Sequence, residues 1–320
     1  MTPRENFIHF LKHEPYEWTP STLDMKVFRP SMIPDNIARA MVSEQLPYAG
    51  EKGGKDLFGV EWVYVPTVGG SMETGIMFDD ICDWEKYVTI PDLDQLDWEG
   101  CAKANAEFLN TDKVIQSTIF TGYFERLISF VGFENASLAL IDEDEQEHVH
   151  KLFDKLTEFY IDVIRRLHKY FNVEIVELHD DWGNQRSLMF SVNTHREMIL
   201  PYIKRVVDAA HAEGVCIEQH SCGKIEALMP NIIASGVDTW RGQNSVIDKK
   251  WLVDNYGDQF RFGVEARPAD GASEDEIIAT VQKVLDDYHG KDVWLALGRA
   301  ALGEEKAREI CNQIRQVGHI

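Results

Sequence analysis

His220 and Cys222 stand two residues apart at the end of a β-branched apolar run, Val215 to His220, and Gly223 follows them. Two-residue spacing on an extended strand points both side chains the same way, and an imidazole nitrogen beside a thiolate sulfur suits zinc. A His-x-Cys pair arises by chance roughly 0.2 times in a chain of this composition, so the two are either metal ligands or a buried thiol beside a hydrogen-bonded core histidine. A second run, Val173 to Leu178, leads into His179-Asp180-Asp181-Trp182-Gly183-Asn184. Two aspartates and a histidine at a strand end are costly to bury, so they meet water, a substrate or a metal, or they cap a helix. Glu177 lies two residues before His179 and shares its side of the strand as an inward carboxylate. Glu265, which ends the run Phe260 to Val264, is the natural third metal ligand beside the His-Cys pair. Gln243 and Asn244 end a further run. Arg299 either holds an anionic substrate group by a two-pronged hydrogen bond or neutralises an acidic mouth. Tyr123 and Arg126 stand where a substrate wall can form.

These residues need elements to position them. Six short β-branched runs, Val114 to Phe120, Val173 to Leu178, Val215 to His220, Val237 to Trp240, Phe260 to Val264 and Val293 to Leu297, alternate with amphipathic helical stretches. The stretch 146–169 places Val149, Leu152, Phe153, Leu156, Tyr160, Val163, Ile164 and Leu167 on one helical face. Thr2-Pro3-Arg4-Glu5, Thr194 with Glu197, and Ser273 with Glu276 read as capping boxes at helix starts. An early strand is expected around Pro20 to Met25, and Glu61 to Pro66 reads as a hairpin or cover strand. The acidic part from 71 to 110 carries turn chemistry. Strand–helix alternation implies a parallel sheet with helices outside, and no glycine-rich dinucleotide fingerprint follows the first strand. The expected architecture is therefore α/β, a single (β/α)8 TIM barrel over 1–320: residues 1–110 supply an N-terminal helix, a hairpin cover and the first strand, and 111–320 the regular βα units. Chemistry then belongs where strands end and loops begin.

Composition narrows the partners. The 320 residues carry 32 Lys+Arg against 54 Asp+Glu, a net charge of −22, and hold no basic cluster, so no nucleic acid is expected as a partner. A hydrophobic content of 44% is ample for a packed core and excludes an acidic disordered chain. No basic stretch followed by an apolar one opens the chain, and nowhere do eighteen apolar residues run together, so neither a standard secretion signal nor a membrane span is expected. Five cysteines without a Cys-x-x-Cys pair fit a reducing cytoplasm, each thiol being core filler or ligand.

Taken together, Thr2-Pro3-Arg4-Glu5 with Pro15 and Pro20, Phe120-Thr121-Gly122-Tyr123, Asp180-Asp181-Trp182-Gly183 and Leu297-Gly298-Arg299 occur in the order in which similar stretches occur in the uroporphyrinogen decarboxylase superfamily. The chain resembles that superfamily over nearly its whole length, and the resemblance implies one (β/α)8 barrel. It also implies one of two chemistries. The tetrapyrrole decarboxylases open with a Met-Arg-Gln-Ala-Gly-Arg segment whose arginines bind substrate carboxylates; here 21–30 reads Ser-Thr-Leu-Asp-Met-Lys-Val-Phe-Arg-Pro, without the arginine pair. A net charge of −22 and a mouth expected to offer few cations also fit an octacarboxylate poorly and favour a neutral or modestly charged substrate.

His220-Ser221-Cys222-Gly223 is instead similar to the His-x-Cys of zinc methyltransferases that exchange methyl groups with corrinoid proteins. The branch that acts on coenzyme M has a further cysteine after the last strand, where this chain has Arg299-Ala300-Ala301, and Cys311 comes later on an expected helix. A carboxylate, Glu265, Glu177 or Asp180, is then left to complete the site. On this resemblance the metal ligands are His220, Cys222 and Glu265, the catalytic residues Asp180, Glu177 and Arg299, and the substrate contacts His179, Trp182, Tyr123 and Gln243. The implied activity moves a methyl group from a small methylated substrate, such as an aryl methyl ether, to a corrinoid protein, with zinc as Lewis acid and the corrinoid carried by the partner. The alternatives are a metal-free decarboxylase using Asp180 and a non-catalytic corrinoid- or ligand-binding barrel; an oligomer is compatible with all three.

Overall fold

Ten strands organise the chain: β1 (Met25–Val27), β2 (Gly53–Lys55), β3 (Glu61–Val65), β4 (Gly70–Glu73), β5 (Val114–Ile119), β6 (Ile175–His179), β7 (Cys216–Ser221), β8 (Thr239–Gly242), β9 (Arg261–Ala266) and β10 (Val293–Leu297). The structure is a computed structural model and describes residues 1–297 apart from Val68, Asn244 and Asp270, together with Glu309 and Asn312. Seven strands form one parallel sheet in the order β1-β5-β6-β7-β8-β9-β10. Its two edges approach each other at a parallel bridge between Ser21 and Leu295. The Leu295 N–H donates to the Pro20 carbonyl at 2.8 Å, and the Leu297 N–H to Thr22 Oγ1 at 3.1 Å.

This differs from the expected barrel of eight strands. Among the described residues there are seven, and the segment ahead of β1 touches the last strand itself. The physical reason is a tight turn, Thr22–Asp24, capped by Ser21 and Asp24. It interrupts what the sequence suggested as a strand over Pro20 to Met25, so that Ser21 meets β10 while Met25–Val27 meets β5. The other six expected strands are present with ends shifted by one or two residues, the usual uncertainty of such boundaries.

The helices follow their apolar periodicity. Glu143–Phe171 buries all eight of the residues expected on its face and ends at Asn172 in the left-handed region. The capping boxes at Thr2 and Ser273 form. The one expected at Thr194 does not, because Ser191 stands three residues earlier and its hydroxyl takes the Thr194 N–H at 3.0 Å, leaving Thr194 buried inside the helix Val192–Met198. Among the described residues no helix is long and apolar enough to cross a membrane.

Position along the strands divides the sheet interior into an apolar floor at their amino ends and a polar mouth at their carboxyl ends. The floor is closed by the helix Pro3–Leu11, whose Phe7, Phe10 and Leu11 pack on Met25, Val114, Ile175, Cys216 and Trp294. Arg261 lies over the Phe10 ring at 5.0 Å and donates to the Phe10 carbonyl at 2.9 Å. On the other side, β2, β3 and β4 make the expected cover as a three-stranded antiparallel sheet. Asp56 ties this cover down: its carboxylate accepts the N–H groups of Phe58 and Val60, the Trp62 indole N–H at 3.0 Å and Arg126 at 2.6 Å.

The floor makes a direct prediction. Phe10 is fully buried, and Phe10→Ala is expected to lower stability by about 3–5 kcal/mol, since a cavity beneath seven strands cannot collapse. Urea unfolding of the variant beside the wild type measures it.

Candidate functional site

Strand register stacks the inward side chains in layers. His179 of β6 pairs with His220 of β7, which pairs with Arg241 of β8. One step below, Thr118, Glu177, Glu218 and Thr239 form the equivalent row. Arg241 reaches down and pairs with both carboxylates, with Glu218 at 3.0 Å and with Glu177 still more closely. Arg29 approaches Glu177 at 3.9 Å and donates to Thr118 Oγ1 at 2.8 Å. Burial would raise both acids, but Arg241 and Arg29 hold Glu177 well below the usual range, whereas burial and the neighbouring Glu177 push Glu218 up to about 7. Two guanidiniums, those of Arg241 and Arg29, thus stand against the Glu177 and Glu218 carboxylates.

Above this row the rings of His179 and His220 stack, centroids 4.5 Å apart and planes 17° apart. Cys222 Sγ lies 3.5 Å from His220 Nε2. Asp181 Oδ1 lies 3.9 Å from the same nitrogen and accepts the Cys222 N–H at 2.6 Å. Ligand atoms of His179, Asp181 and His220 all fall within 4.8 Å of one another. With Zn–S of about 2.3 Å and Zn–N or Zn–O of about 2.0–2.1 Å, neighbouring donors of a tetrahedral site lie about 3.3–3.6 Å apart; the 3.5 Å between Cys222 Sγ and His220 Nε2 meets that spacing, and the Asp181 oxygen at 3.9 Å stands just outside it.

The electrostatics point the same way. Burial, with His179 alongside, lowers His220 to about 3, so its ring is neutral and free to bind a cation. Burial first, then the Asp181 carboxylate, pushes the Cys222 thiol up to about 12; burial and Glu125 raise Asp181. A divalent cation among these groups reverses both upward shifts, because metal binding displaces the protons. His179 is turned by Glu125, whose Oε2 meets its Nδ1 at 2.9 Å. Burial works against a charged ring there, but Glu125 outweighs it and raises His179. In return His179 and Arg39 overcome the burial of Glu125 and hold it down at about 2.

The expected site residues divide accordingly. His220, Cys222, His179 and Glu177 come together at the mouth. Glu265 stands one residue before the end of β9 and pairs with the exposed Arg267 at 3.4 Å, while the ligand atoms that gather are those of His179, Asp181 and His220. The carboxylate beside His220 and Cys222 is Asp181, which strand parity marks, being two residues beyond His179 and four beyond Glu177. Asp180 points away and accepts the N–H groups of Phe124 at 3.1 Å and Glu125 at 2.8 Å, at the start of the helix Tyr123–Ala139. Burial and Glu125 push its carboxyl up to about 7 against those hydrogen bonds. Trp182 is fully buried, its ring edge against His195 at 4.5 Å. Tyr123 is buried too and shares a hydrogen bond with Thr157 at 2.8 Å in the helix layer. Gln243 Oε1 accepts the Gly223 N–H at 3.3 Å and ties the turns after β7 and β8 together. Arg126 is buried between Asp56 and Asp35 rather than at a substrate wall. Arg299, Asn244 and Cys311 lie outside the described residues.

Three residues with clear roles were not singled out from sequence. Arg241 and Glu218 are marked by parity with Thr239 and His220, and Glu125 by its place in the first turn after β5. The cations expected to be scarce at the mouth are present as Arg29, Arg39 and Arg241, each held by a carboxylate.

A family model described as uroporphyrinogen decarboxylase (URO-D) matches residues 122–298. The chain belongs to the uroporphyrinogen decarboxylase family. A search of curated proteins finds no match. Among solved structures the chain is similar to a methyltransferase from Methanosarcina mazei, with a TM-score of 0.69 over 99% of each chain. At 15% identity that likeness is one of fold. An Old Yellow Enzyme from Pichia sp. AKU4542 is similar at a TM-score of 0.40 and 10% identity, over 69% of this chain and 66% of that one. A sugar phosphate isomerase/epimerase from Parabacteroides distasonis ATCC 8503 is similar at 0.35 and 10%, over 67% and 73%.

Beside β8 the parallel sheet holds one more buried charge. Lys249 is 6% exposed, its Nζ has no hydrogen-bond partner and sits 3.9 Å over the Trp240 ring. Burial lowers it to about 7, against the opposing pull of Glu265 and Glu218. Since the unfolded lysine keeps its proton to about 10.4, the folded protein binds fewer protons between about 7 and 10, and its stability rises with pH across that window. Lys249→Met is therefore expected to stabilise the protein most at pH 6.5 and progressively less toward pH 9.5, as urea unfolding at the two values measures.

Proposed function

We propose that the protein is a methyltransferase that takes a methyl group from a small methylated substrate, such as an aryl methyl ether, and passes it to a corrinoid protein, with zinc held by His220, Cys222 and Asp181. The observation that carries this reading is the 3.5 Å approach of Cys222 Sγ to His220 Nε2 with the Asp181 carboxylate beside them, at the carboxyl ends of β6 and β7. When bound, zinc is a Lewis acid that polarises the heteroatom bearing the methyl group. One thiolate and one carboxylate balance the charge of a divalent ion, and the oxygen ligand leaves it more electrophilic than a second sulfur would.

In the balanced reaction the C–O bond breaks, the methyl group leaves as a cation equivalent for the reduced cobalt of the partner, and the departing oxygen keeps the bonding pair and needs a proton. His179 is placed to hold that proton. Glu125 fixes its Nδ1 and favours the charged ring, which leaves Nε2 as the second nitrogen. The near-parallel stack aims the two imidazoles side by side instead of at one point, so His179 serves as a proton-bearing neighbour of the ligand His220. Arg241, Glu177 and Glu218 form the charged row one step beneath them. The decarboxylase alternative asks Asp180 to face the substrate, and Asp180 has both carboxylate oxygens on backbone N–H groups of a helix start.

Metal analysis of protein purified without chelator tests the assignment. Cys222→Ser and Asp181→Asn are each expected to weaken zinc binding at least about ten-fold and to lower methyl transfer to a reduced corrinoid in proportion, while Glu265→Gln keeps its zinc. Loss of zinc from Cys222→Ser with methyl transfer intact overturns the metal role.

A further inference from the structure

One buried amine has no task at the mouth. Thr239 and Arg241 of β8 share the inward row, so Trp240 between them faces the helix layer. Its indole is fully buried, with the Phe262 ring perpendicular to it at 6.3 Å and the Gly242 backbone so close that a Cβ there would lie 1.9 Å from the ring. Lys249 opens the helix Lys249–Tyr256 and lays its side chain over this indole, Nζ 3.9 Å from the ring centre. Two polar groups lie there unpartnered. Among the described residues neither Lys249 Nζ nor the Trp240 indole N–H has a hydrogen-bond partner, although both residues are more than nine-tenths buried.

Among the described residues Lys249 is the only buried lysine. The charged groups that act on it are Glu265 of β9 and Glu218 of β7, which favour an ammonium, and Arg241 of β8, which opposes one. Each carboxylate already has a guanidinium, Glu265 that of Arg267 at 3.4 Å and Glu218 that of Arg241 at 3.0 Å. The positive end of the helix that Lys249 opens also disfavours a cation and favours an anion. Burial prevails over the carboxylates, so above about pH 7 the amine is uncharged, and no hydrogen bond engages its lone pair.

We propose that Lys249 is a carbon dioxide site, at which the buried amine and CO2 reversibly form a carbamate. This chemistry is independent of methyl transfer. The amine nitrogen attacks the carbon of CO2, a C–N bond forms from the nitrogen lone pair, one C–O π pair moves onto oxygen, and one N–H proton leaves to solvent. An amine and CO2 thus give a carbamate anion and H+, with no oxidant or reductant. Aromatic walls turn away a charged or bulky electrophile and admit a small apolar one. Helix ends open most readily, and Lys249 is the first residue of its helix, which provides a way in. The carbamate brings two acceptor oxygens beside a ring whose N–H lacks an acceptor, and its negative charge suits both the helix start and Arg241.

Equilibration of the whole protein with carbon-13-labelled bicarbonate at pH 8, esterification of any carbamate with triethyloxonium and peptide mass spectrometry test this. Exposed lysines keep their protons to about 10.4, so Lys249 is expected to carry at least about ten-fold more label than any of them. The carbamate carbon signal of the intact protein is expected to vanish in Lys249→Met. Because CO2 then binds the folded chain in preference to the unfolded one, it is also expected to raise the urea midpoint of the wild type and to leave that of Lys249→Met unchanged. Label at the Met1 amine with none at Lys249 overturns the proposal, as does label on Lys249 no greater than on the exposed lysines, or an equal rise of both midpoints.

Discussion

Everything at the mouth depends on one guanidinium shared by two carboxylates. Glu177 and Glu218 face each other across β6 and β7, and two negative charges in that position repel strongly once water is removed. Arg241 of β8 pairs with both. Removing the cation would leave two buried acids on adjacent strands, a cost of several kcal/mol, while a slip of any of the three strands by one residue would turn the acids or the arginine outward. The ion pair thus fixes the register of β6, β7 and β8 together. The position of His179 against His220, and hence of Cys222 against both, follows from that register one step higher.

The same layer explains how so acidic a chain builds a polar mouth. Arg29, Arg39 and Arg241 are all near it, and each has its charge taken up by Glu177, Glu125 or Glu218. Arg39 also lies over the Trp62 ring of the cover sheet at 4.6 Å, so the cover and the mouth are joined through one side chain. These arginines organise carboxylates instead of waiting for a polyanion. The charges of this mouth are balanced within the protein itself.

What was legible in the sequence was whatever repeats locally. The helix faces, the β-branched runs and the His220-x-Cys222 pair are each written within a few residues; the runs led to the strands, and the two side chains of the pair meet at 3.5 Å. The eighth strand was expected because the alternation implies one; the turn that Ser21 and Asp24 build is set by two side chains three residues apart and breaks the strand without any apolar signature. Asp181 was visible but unassigned, because choosing between adjacent aspartates requires knowing where the strand ends and which way its last residue points. Glu265 was chosen for its place in the chain, and it pairs with Arg267 two residues on. Asp180, Trp182 and Tyr123 show the converse: a polar or aromatic residue near a site in sequence is equally suited to hold the scaffold. Asp180 does so at a helix start, where two free N–H groups hold a carboxylate as well as any substrate could.

The contact between Gly223 and Gly183 links the turn after Cys222 to the rim, where Gly183 and Leu188 bridge a hairpin. With no side chain on either residue, the two backbones touch, and the Gln243 amide closes the third side through the Gly223 N–H. A Cβ at Gly223 would meet main chain, which cannot swing away as a flexible side chain can, so it must push the hairpin and the Cys222 turn apart. The turn after Cys222 and the loop that carries Arg186 are therefore held against each other by backbone contact, and neither can shift alone without opening it.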